Sequence, residues 1–156
     1  MASLDRRRFL RAAVGTGIGT VYAHRNGEGL LAAELADKPM PTRRLGKIGY
    51  EASVFSVGGM STIMERDKRD EAAAIINRAL ELGVNYIDTA DSYRDGDSEA
   101  NIGQALATRR KDVFIATKTR IRTDDGIEDD AFEKTCERLQ TDWVDLYFMH
   151  LSLIHI

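Results

Sequence analysis

Four short runs of β-branched and aromatic residues alternate with segments of helical period, and this alternation restricts the chain to few folds. The runs cover residues 53–57 (SVFSV), 85–90 (NYIDTA), 113–118 (VFIATK) and 144–150 (VDLYFMH). Their composition is that of buried strands. A strand and its crossover helix take about thirty residues, which matches the spacing of the runs. Strands joined by helical crossovers must run parallel, so the sequence predicts an α/β fold around a parallel sheet.

The three segments between the runs are predicted helices, because their apolar residues recur every three or four positions. The apolar positions are Ala72, Ile75, Ile76, Ala79 and Leu80, then Ile102, Ala105 and Leu106, then Phe132, Cys136 and Leu139. Gly83 follows the first segment, where a left-handed glycine often ends a helix. The predicted N-caps are Asp67 or Asp70, Asp97 or Ser98, and Thr123 or Asp124.

Polar residues with useful chemistry lie at or just beyond the ends of these strands. They are Asp88, Tyr93, Lys118 and His150. The carboxyl ends of parallel strands open on one side of a sheet, so we expect the four side chains to share one face. Doubly wound sheets and closed (β/α)8 barrels both place active sites there. The first strand runs into Gly-Gly-Met at 58–60 and not into the G-x-G-x-x-G turn of a dinucleotide-binding doubly wound domain, which favours the barrel.

The same stretches closely resemble the aldo-keto reductases. The matching segments are residues 85–106 (NYIDTADSYRDGDSEANIGQAL), VFIATK ending at Lys118, and DLYFMH ending at His150. Residues 43–60 (RRLGKIGYEASVFSVGGM) look like the N-terminal hairpin and first barrel strand of that family. The resemblance covers residues 42–150. It implies the N-terminal half of a (β/α)8 TIM barrel, about four βα units, preceded by a short β-hairpin.

The resemblance implies reduction of an aldehyde or ketone to an alcohol with NADPH, or alternatively NADH. Tyr93 would protonate the oxygen of a small carbonyl substrate as hydride reaches the carbon. Lys118, paired with Asp88, would stabilise the phenolate that forms, and His150 would orient the carbonyl. The implied cofactor-binding residues are Gly59, Met60 and Asp88.

Each of the four polar residues also has a structural explanation when it is taken alone. Asp88 could cap a turn, Tyr93 could be a rim aromatic, Lys118 could extend to solvent, and His150 could be a satisfied core residue. The protein could be a non-catalytic, reductase-like binding or regulatory subunit. It could also be another barrel enzyme, such as a metal-dependent sugar isomerase or hydrolase with Asp88 and His150 as ligands. The four motifs in order favour the reductase.

Other features of this region suggest no further chemistry. Residues 94–98 (RDGDS) have too few ligands for a calcium loop, so we interpret them as a solvated turn and assign no metal. Asp91 and Ser92 are expected to shape the loop, and the single cysteine, Cys136, to lie in the core. A net charge of −3 does not indicate nucleic acid. No apolar run reaches the ~20 residues of a stable membrane span.

The first forty residues have the composition of an export signal. Residues 5–11 (DRRRFLR) match the twin-arginine pattern, and residues 12–23 (AAVGTGIGTVYA) are the mildly apolar stretch that follows it. Candidate cleavage sites end at Ala23 and Ala33. We therefore expect residues 1–36 to be a signal peptide and linker for the twin-arginine export machinery, and the protein to be periplasmic or extracytoplasmic in a bacterium. The alternative is a basic amphipathic helix that stays attached.

The sequence reaches only the fourth predicted strand, whereas the barrel needs eight, so we expect a truncated, inactive reductase. The segments that hold the cofactor phosphates in this family lie near the last two strands. Residues 151–156 (LSLIHI) are the translation of CTG TCT CTT ATA CAC ATC, the end of a transposon adapter used in sequencing libraries. We expect this tail to be non-native; the alternative is that it continues the chain.

Overall fold

A two-stranded hairpin precedes a four-stranded parallel sheet. The computed structural model describes residues 39–120 and 129–150. All of these except Pro39 fall in one unit, Met40–Ile156. The antiparallel hairpin consists of β1 (Thr42–Leu45) and β2 (Tyr50–Ser53). The sheet consists of β3 (Val57–Gly58), β4 (Tyr86–Asp88), β5 (Phe114–Thr119) and β6 (Leu146–Met149), in that spatial order.

Three helices connect the parallel strands and form a layer beside the sheet. They are α1 (Arg69–Glu81), α2 (Asp97–Leu106) and α3 (Ala131–Leu139). Short 3-10 turns occur at Ser61–Met64, Arg66–Lys68 and Arg110–Asp112. The helix α2 packs against both α1 and α3. Each strand pairs with the next one in the sequence, and the strand order does not reverse as it would in a doubly wound sheet. The structure therefore confirms consecutive βα units of a (β/α)8 barrel.

The core lies between the sheet and the helices. Ile76 of α1, Ile87 of β4, Ile102 of α2 and Ile115 of β5 are fully buried. The strand β5 is buried along its whole length, as expected for a strand with neighbours on both sides. The helical periodicity located most of this core, because inward residues of a helix recur with the period of the turn. Two residues of the predicted pattern are exposed instead, Ile75 by 41% and Phe132 by 39%.

The first predicted strand is wrong in its bounds. Ser53 ends the hairpin strand β2, and the sheet strand is only Val57–Gly58. The amide of Ser53 donates to Asn85 Oδ1 at 2.7 Å, and the amide of Asn85 donates to Ser53 Oγ at 3.1 Å. These bonds fasten the hairpin to the start of β4. Strand propensity alone cannot distinguish a hairpin strand from a sheet strand.

The predicted N-caps of α1 and α2 are also wrong. The residues at the N-cap positions are Lys68, Gly96 and Asp130, and none of them makes a side-chain capping bond. Asp97, which was expected to cap α2, is its first residue, and its carboxylate accepts a hydrogen bond from Arg66 Nε at 3.0 Å. A distant partner therefore takes the oxygen that a cap would use. The predicted end of α1 is confirmed, because Gly83 has a φ of 85° and its amide donates to the Leu80 carbonyl oxygen.

Several predictions lie outside the described residues. They are the signal peptide and linker at 1–36, the cleavage sites at Ala23 and Ala33, the third N-cap at Thr123 or Asp124, and the tail at 151–156. Within residues 39–120 and 129–150, no helix combines the length and the apolar character that crossing a membrane requires.

Candidate active site

Side chains from three neighbouring strand ends meet at the carboxyl edge of the sheet. Asp88 ends β4, and Lys118 lies in β5. Lys118 Nζ donates to Asp88 Oδ1 at 2.5 Å and to the Thr89 carbonyl oxygen at 2.7 Å. The lysine side chain is only 10% exposed, whereas the Asp88 side chain is 37% exposed. The ammonium group is thus largely buried, whereas the carboxylate that pairs with it is partly exposed to solvent.

The aromatic ring of Tyr93 lies beside this ammonium group. Lys118 Nζ is 5.2 Å from the centroid of the Tyr93 ring and 5.3 Å from that of Phe148. An ammonium carries three N–H groups, and Asp88 and Thr89 take two of them. The third N–H has no hydrogen-bond acceptor among the described residues, and the two aromatic rings lie close to the same nitrogen. A cation so close to an aromatic face is attracted by it.

His150 completes the group from the end of β6. Its ring meets the Tyr93 ring edge-on, with 5.7 Å between centroids and 80° between planes. Its amide donates to the Thr119 carbonyl oxygen at 2.7 Å. Its Nδ1 lies 2.9 Å from Ser92 Oγ. The structure therefore brings Asp88, Tyr93, Lys118 and His150 into one cluster.

The loop that carries Tyr93 turns sharply into α2. Arg94, Asp95 and Gly96 have φ values of 55°, 51° and 90° in succession. The φ of position 96 favours glycine, and a Cβ there would also displace the Arg138 side chain, because it would meet Arg138 Cδ. The interpretation of residues 94–98 as a solvated turn holds only for its first half. Arg94 and Asp95 are exposed, but Asp97 is 9% exposed and Ser98 is fully buried.

Gly59 is fixed by hydrogen bonds in the same region. Its amide donates to the Asp88 carbonyl oxygen at 2.7 Å, and its own carbonyl oxygen accepts from Ser98 Oγ at 2.6 Å. A Cβ at this position would lie 2.5 Å from Ser98 Oγ and 2.7 Å from Thr89 Oγ1. The close approach excludes any side chain. Met60, the next residue, is 56% exposed at the strand end.

Glu99 is a buried carboxylate that no sequence motif singled out. It lies in the first turn of α2, where an acidic residue normally faces solvent, yet it is fully buried. Thr117 Oγ1 donates to its Oε1, and Arg138 Nε donates to its Oε2, both at 2.6 Å. The network joins α2, β5 and α3 directly behind the Tyr93 loop. Burial raises the pKa of Glu99, although the bonds from Thr117 and Arg138 act to lower it.

The raised pKa of Glu99 predicts a pH-dependent stability. The folded state binds this proton more tightly than the unfolded state, whose carboxyl titrates near 4.5. The stabilisation is therefore fully present below that pH and is lost as the pH rises through the folded-state pKa. Glu99→Gln removes the titration. Urea unfolding at a series of pH values should show that wild type loses stability relative to Glu99→Gln as the pH rises from 4.5 to neutral. A constant or growing advantage of wild type would contradict this.

Two other predicted residues can be placed from the structure. Asp91 is buried, its amide donates to the Lys118 carbonyl oxygen at 2.9 Å, and its Oδ2 accepts from Thr119 Oγ1 at 3.0 Å, so it shapes the loop. Cys136 is half-buried on α3. Burial, and then the carboxylate of Glu133, raise the pKa of its thiol, which keeps it protonated and unreactive. Among the described residues, no three His, Cys, Asp or Glu side chains converge as metal ligands would.

Known proteins are similar to this chain in sequence and in architecture. The oxidoreductase YqkF of Bacillus subtilis is 39% identical over 122 residues, which are 71% of this chain and 39% of the relative. The methylglyoxal reductase YeaE of Escherichia coli is 35% identical over 105 residues, 65% of this chain and 37% of that protein. An aldo-keto reductase from Klebsiella pneumoniae, solved in complex with NADPH, superposes with a TM-score of 0.63 at 27% identity, covering 72% of this chain and 40% of its own.

The chain spans about two fifths of the length of each of these three relatives. The sequence model of the Aldo/keto reductase family matches residues 55–152, which include every strand of the parallel sheet and all four clustered residues. The chain therefore belongs to the aldo/keto reductase family.

Proposed function

We propose that the protein reduces an aldehyde or ketone to the alcohol with NADPH, as part of a longer chain that supplies the remaining barrel strands. The observation that carries the proposal is the lysine ammonium held between the Asp88 carboxylate and the Tyr93 ring. Support for the longer chain comes from the relatives, of which this sequence spans about two fifths. NADPH is preferred because NADPH occupies the solved Klebsiella relative.

In this proposal Tyr93 is the proton donor. Hydride addition to a carbonyl carbon leaves negative charge on the oxygen, and a positioned acid must supply a proton as that charge develops. Loss of the phenolic proton leaves a phenolate, and the adjacent Lys118 ammonium stabilises it. Asp88 and the Thr89 carbonyl hold that ammonium in place by accepting hydrogen bonds from Nζ.

His150 is proposed to orient the substrate. Its ring is held edge-on against Tyr93, so one small carbonyl oxygen can face both the phenol and the imidazole. A hydrogen bond from the imidazole would fix the carbonyl in the orientation that the proton transfer needs. The rest of the substrate would contact residues beyond those described.

The described residues fit the reactive end of a nicotinamide cofactor. When bound, the cofactor supplies the hydride. Gly59, Met60 and Asp88 lie together because Gly58 pairs with Asp88 across β3 and β4. Met60 offers exposed apolar surface, and Asp88 offers a partly exposed carboxylate that can accept hydrogen bonds from hydroxyl groups. We propose that these three residues contact the cofactor and that later segments of the longer chain hold its phosphates.

The structure argues against the metal-dependent alternative. An ion pair at 2.5 Å already engages Asp88, and the ammonium of Lys118 would repel a cation placed at the same oxygen. His150 Nδ1 faces a serine hydroxyl. A non-catalytic subunit would not need a lysine charge beside a tyrosine, so the same ion pair favours the enzyme.

The function is tested with the longer protein that contains this sequence. NADPH absorbance should fall only when an aldehyde or ketone is present, and the rate should not change with a metal chelator. NADH is assayed in parallel. A chelator-sensitive activity would favour the metal enzyme, and NADPH binding without turnover on a panel of aldehydes would favour the non-catalytic subunit.

The 156-residue chain by itself is expected to show no saturable NADPH binding. It offers the proposed contacts to the nicotinamide end but not the later segments proposed to hold the phosphates, and phosphate contacts supply much of a dinucleotide's affinity. Fluorescence titration with NADPH measures this. Tight binding by a monodisperse sample of residues 1–156 would show that the proposed division of the cofactor site is wrong.

We also propose export by the twin-arginine route. Support comes from the sequence of residues 5–11 and from the apolar stretch after it. That route carries folded proteins, which suits an enzyme that binds a nucleotide cofactor before export. Replacing Arg6 and Arg7 with lysine should keep the reductase in the cytoplasmic fraction of a bacterial host, with wild type in the periplasm. Equal distribution of the two proteins would contradict export by this route.

A further inference from the structure

Ser92 makes a contact that the proposed reaction does not use. Its Oγ lies 2.9 Å from Nδ1 of His150, across 58 positions of sequence. The serine is half-buried in the loop after β4, directly before Tyr93. Within residues 39–120 and 129–150, this is the one hydrogen bond that its hydroxyl makes. The sequence suggested only that Ser92 shapes its loop.

We propose that Ser92 is a positioning residue that donates its hydroxyl proton to His150 Nδ1 and thereby keeps the imidazole proton on Nε2. The assignment follows from the hydrogen-bonding capacity of the two groups. A neutral imidazole has one donor and one acceptor nitrogen, and the bond made by one nitrogen sets the role of the other. With Nδ1 accepting from serine, Nε2 must be the donor.

The other tautomer, with the proton on Nδ1, would leave more hydrogen-bonding groups of Ser92 and His150 without a partner. If Nδ1 carried the proton, Ser92 Oγ would accept it, and the serine proton would then point at no acceptor within the described part of the chain. Nε2 would have a lone pair where the carbonyl oxygen of a substrate arrives. Two lone pairs would then face each other, which repels the substrate that the site is proposed to bind.

The contact also connects the proposed proton donor, Tyr93, with the residue proposed to orient the substrate, His150. Ser92 and Tyr93 are consecutive, so one short segment holds the proton donor and also sets the tautomer of the orienting residue. The Tyr93 ring meets the imidazole edge-on, and the Thr119 carbonyl holds the backbone of His150 by accepting a hydrogen bond from its amide. The segment that places the acid is thus also the one that fixes which imidazole nitrogen donates. This role for the Nε2 proton rests on the proposed function; the tautomer itself does not.

The tautomer is measured by 15N NMR of histidine-labelled protein without cofactor or substrate. The His150 signals are assigned as those missing from His150→Gln, at a pH where the ring is neutral. In wild type we expect a pyridine-type shift at Nδ1 and a pyrrole-type shift at Nε2. In Ser92→Ala the ratio of the two tautomers should fall roughly fivefold, as loss of one hydrogen bond allows. Ser92→Thr keeps the hydroxyl and should keep the wild-type shifts.

Ser56→Ala is the matched control, because Ser56 is exposed and precedes β3 at the opposite end of the sheet. It should leave the His150 shifts unchanged. A proton on Nδ1 in wild type would overturn the proposal, and so would an unchanged tautomer ratio in folded Ser92→Ala. If Ser92→Ala does not fold, the proposal is tested by wild type and Ser92→Thr. Both proteins must then show the His150 proton on Nε2. The readout needs no turnover, so a protein without reductase activity would refute the proposed function and leave this result standing.

Discussion

Replacing Tyr93 with phenylalanine in the longer protein is expected to lower kcat by about 10²–10⁴-fold, the usual contribution of a positioned general acid. The change removes one oxygen and keeps the ring, so the edge-on contact with His150 and the packing beside Lys118 are retained. KM should change little, because the missing interaction develops only as the oxygen gains charge. Steady-state NADPH oxidation with a simple aldehyde measures both constants.

Tyr86→Phe is the matched control for this prediction. Tyr86 is the first residue of β4, at the opposite end of that strand from the Tyr93 loop, and it stacks on Phe114 with 5.1 Å between centroids. Its hydroxyl makes no hydrogen bond within the described residues, so its loss should leave kcat unchanged. If Tyr93→Phe retains more than a tenth of wild-type kcat, another group supplies the proton. Lys118→Met should lower kcat as well, and its effect should not add to that of Tyr93→Phe, because the two residues act on one proton.

Gly103→Ala is expected to lower the free energy of unfolding by about 2 kcal/mol, although helix propensity predicts the opposite. Alanine in a helix interior is favoured over glycine by about 1 kcal/mol. A Cβ at position 103, however, would lie 2.5 Å from the Arg138 carbonyl oxygen and 2.7 Å from that of Leu139. Those atoms are backbone at the end of α3, so α2 and α3 must separate. Overpacking of this kind costs about 1–3 kcal/mol or more, and here it outweighs the propensity.

The measurement is urea unfolding, with Gln104→Ala as the comparison. Gln104 is the next residue of α2 and is exposed, so its replacement should change the free energy of unfolding by less than about 0.5 kcal/mol. A Gly103→Ala protein as stable as wild type would mean that the two helices can move apart at no cost. Such a result would contradict the close packing that the glycine permits.

The sequence predicted the architecture of the sheet because its signals are local. Alternation of strand-like runs with helical periods can be read in windows of ten residues, and the rule that helical crossovers give parallel strands then placed Asp88, Lys118 and His150 at one edge. The bounds of β3 and the N-caps of α1 and α2 were predicted wrongly for the opposite reason. Ser53 and Asp97 have residue types suited to the predicted roles, but Asn85 and Arg66, each 31 or 32 positions away, engage their polar groups instead.

The sequence by itself therefore determined the order of βα units, the end of α1 at Gly83 and the strand ends from which the polar cluster is built. Only the tertiary structure decided which polar groups are buried and what each one contacts. Glu99 has the sequence position of a solvated helix residue, yet partners 18 and 39 positions away bury it. Ser92 looks like an ordinary loop residue until His150 comes within 2.9 Å of it. Whether a side chain is buried and which group it contacts depend on segments that are distant in the sequence. A local pattern of residues carries no information about those segments.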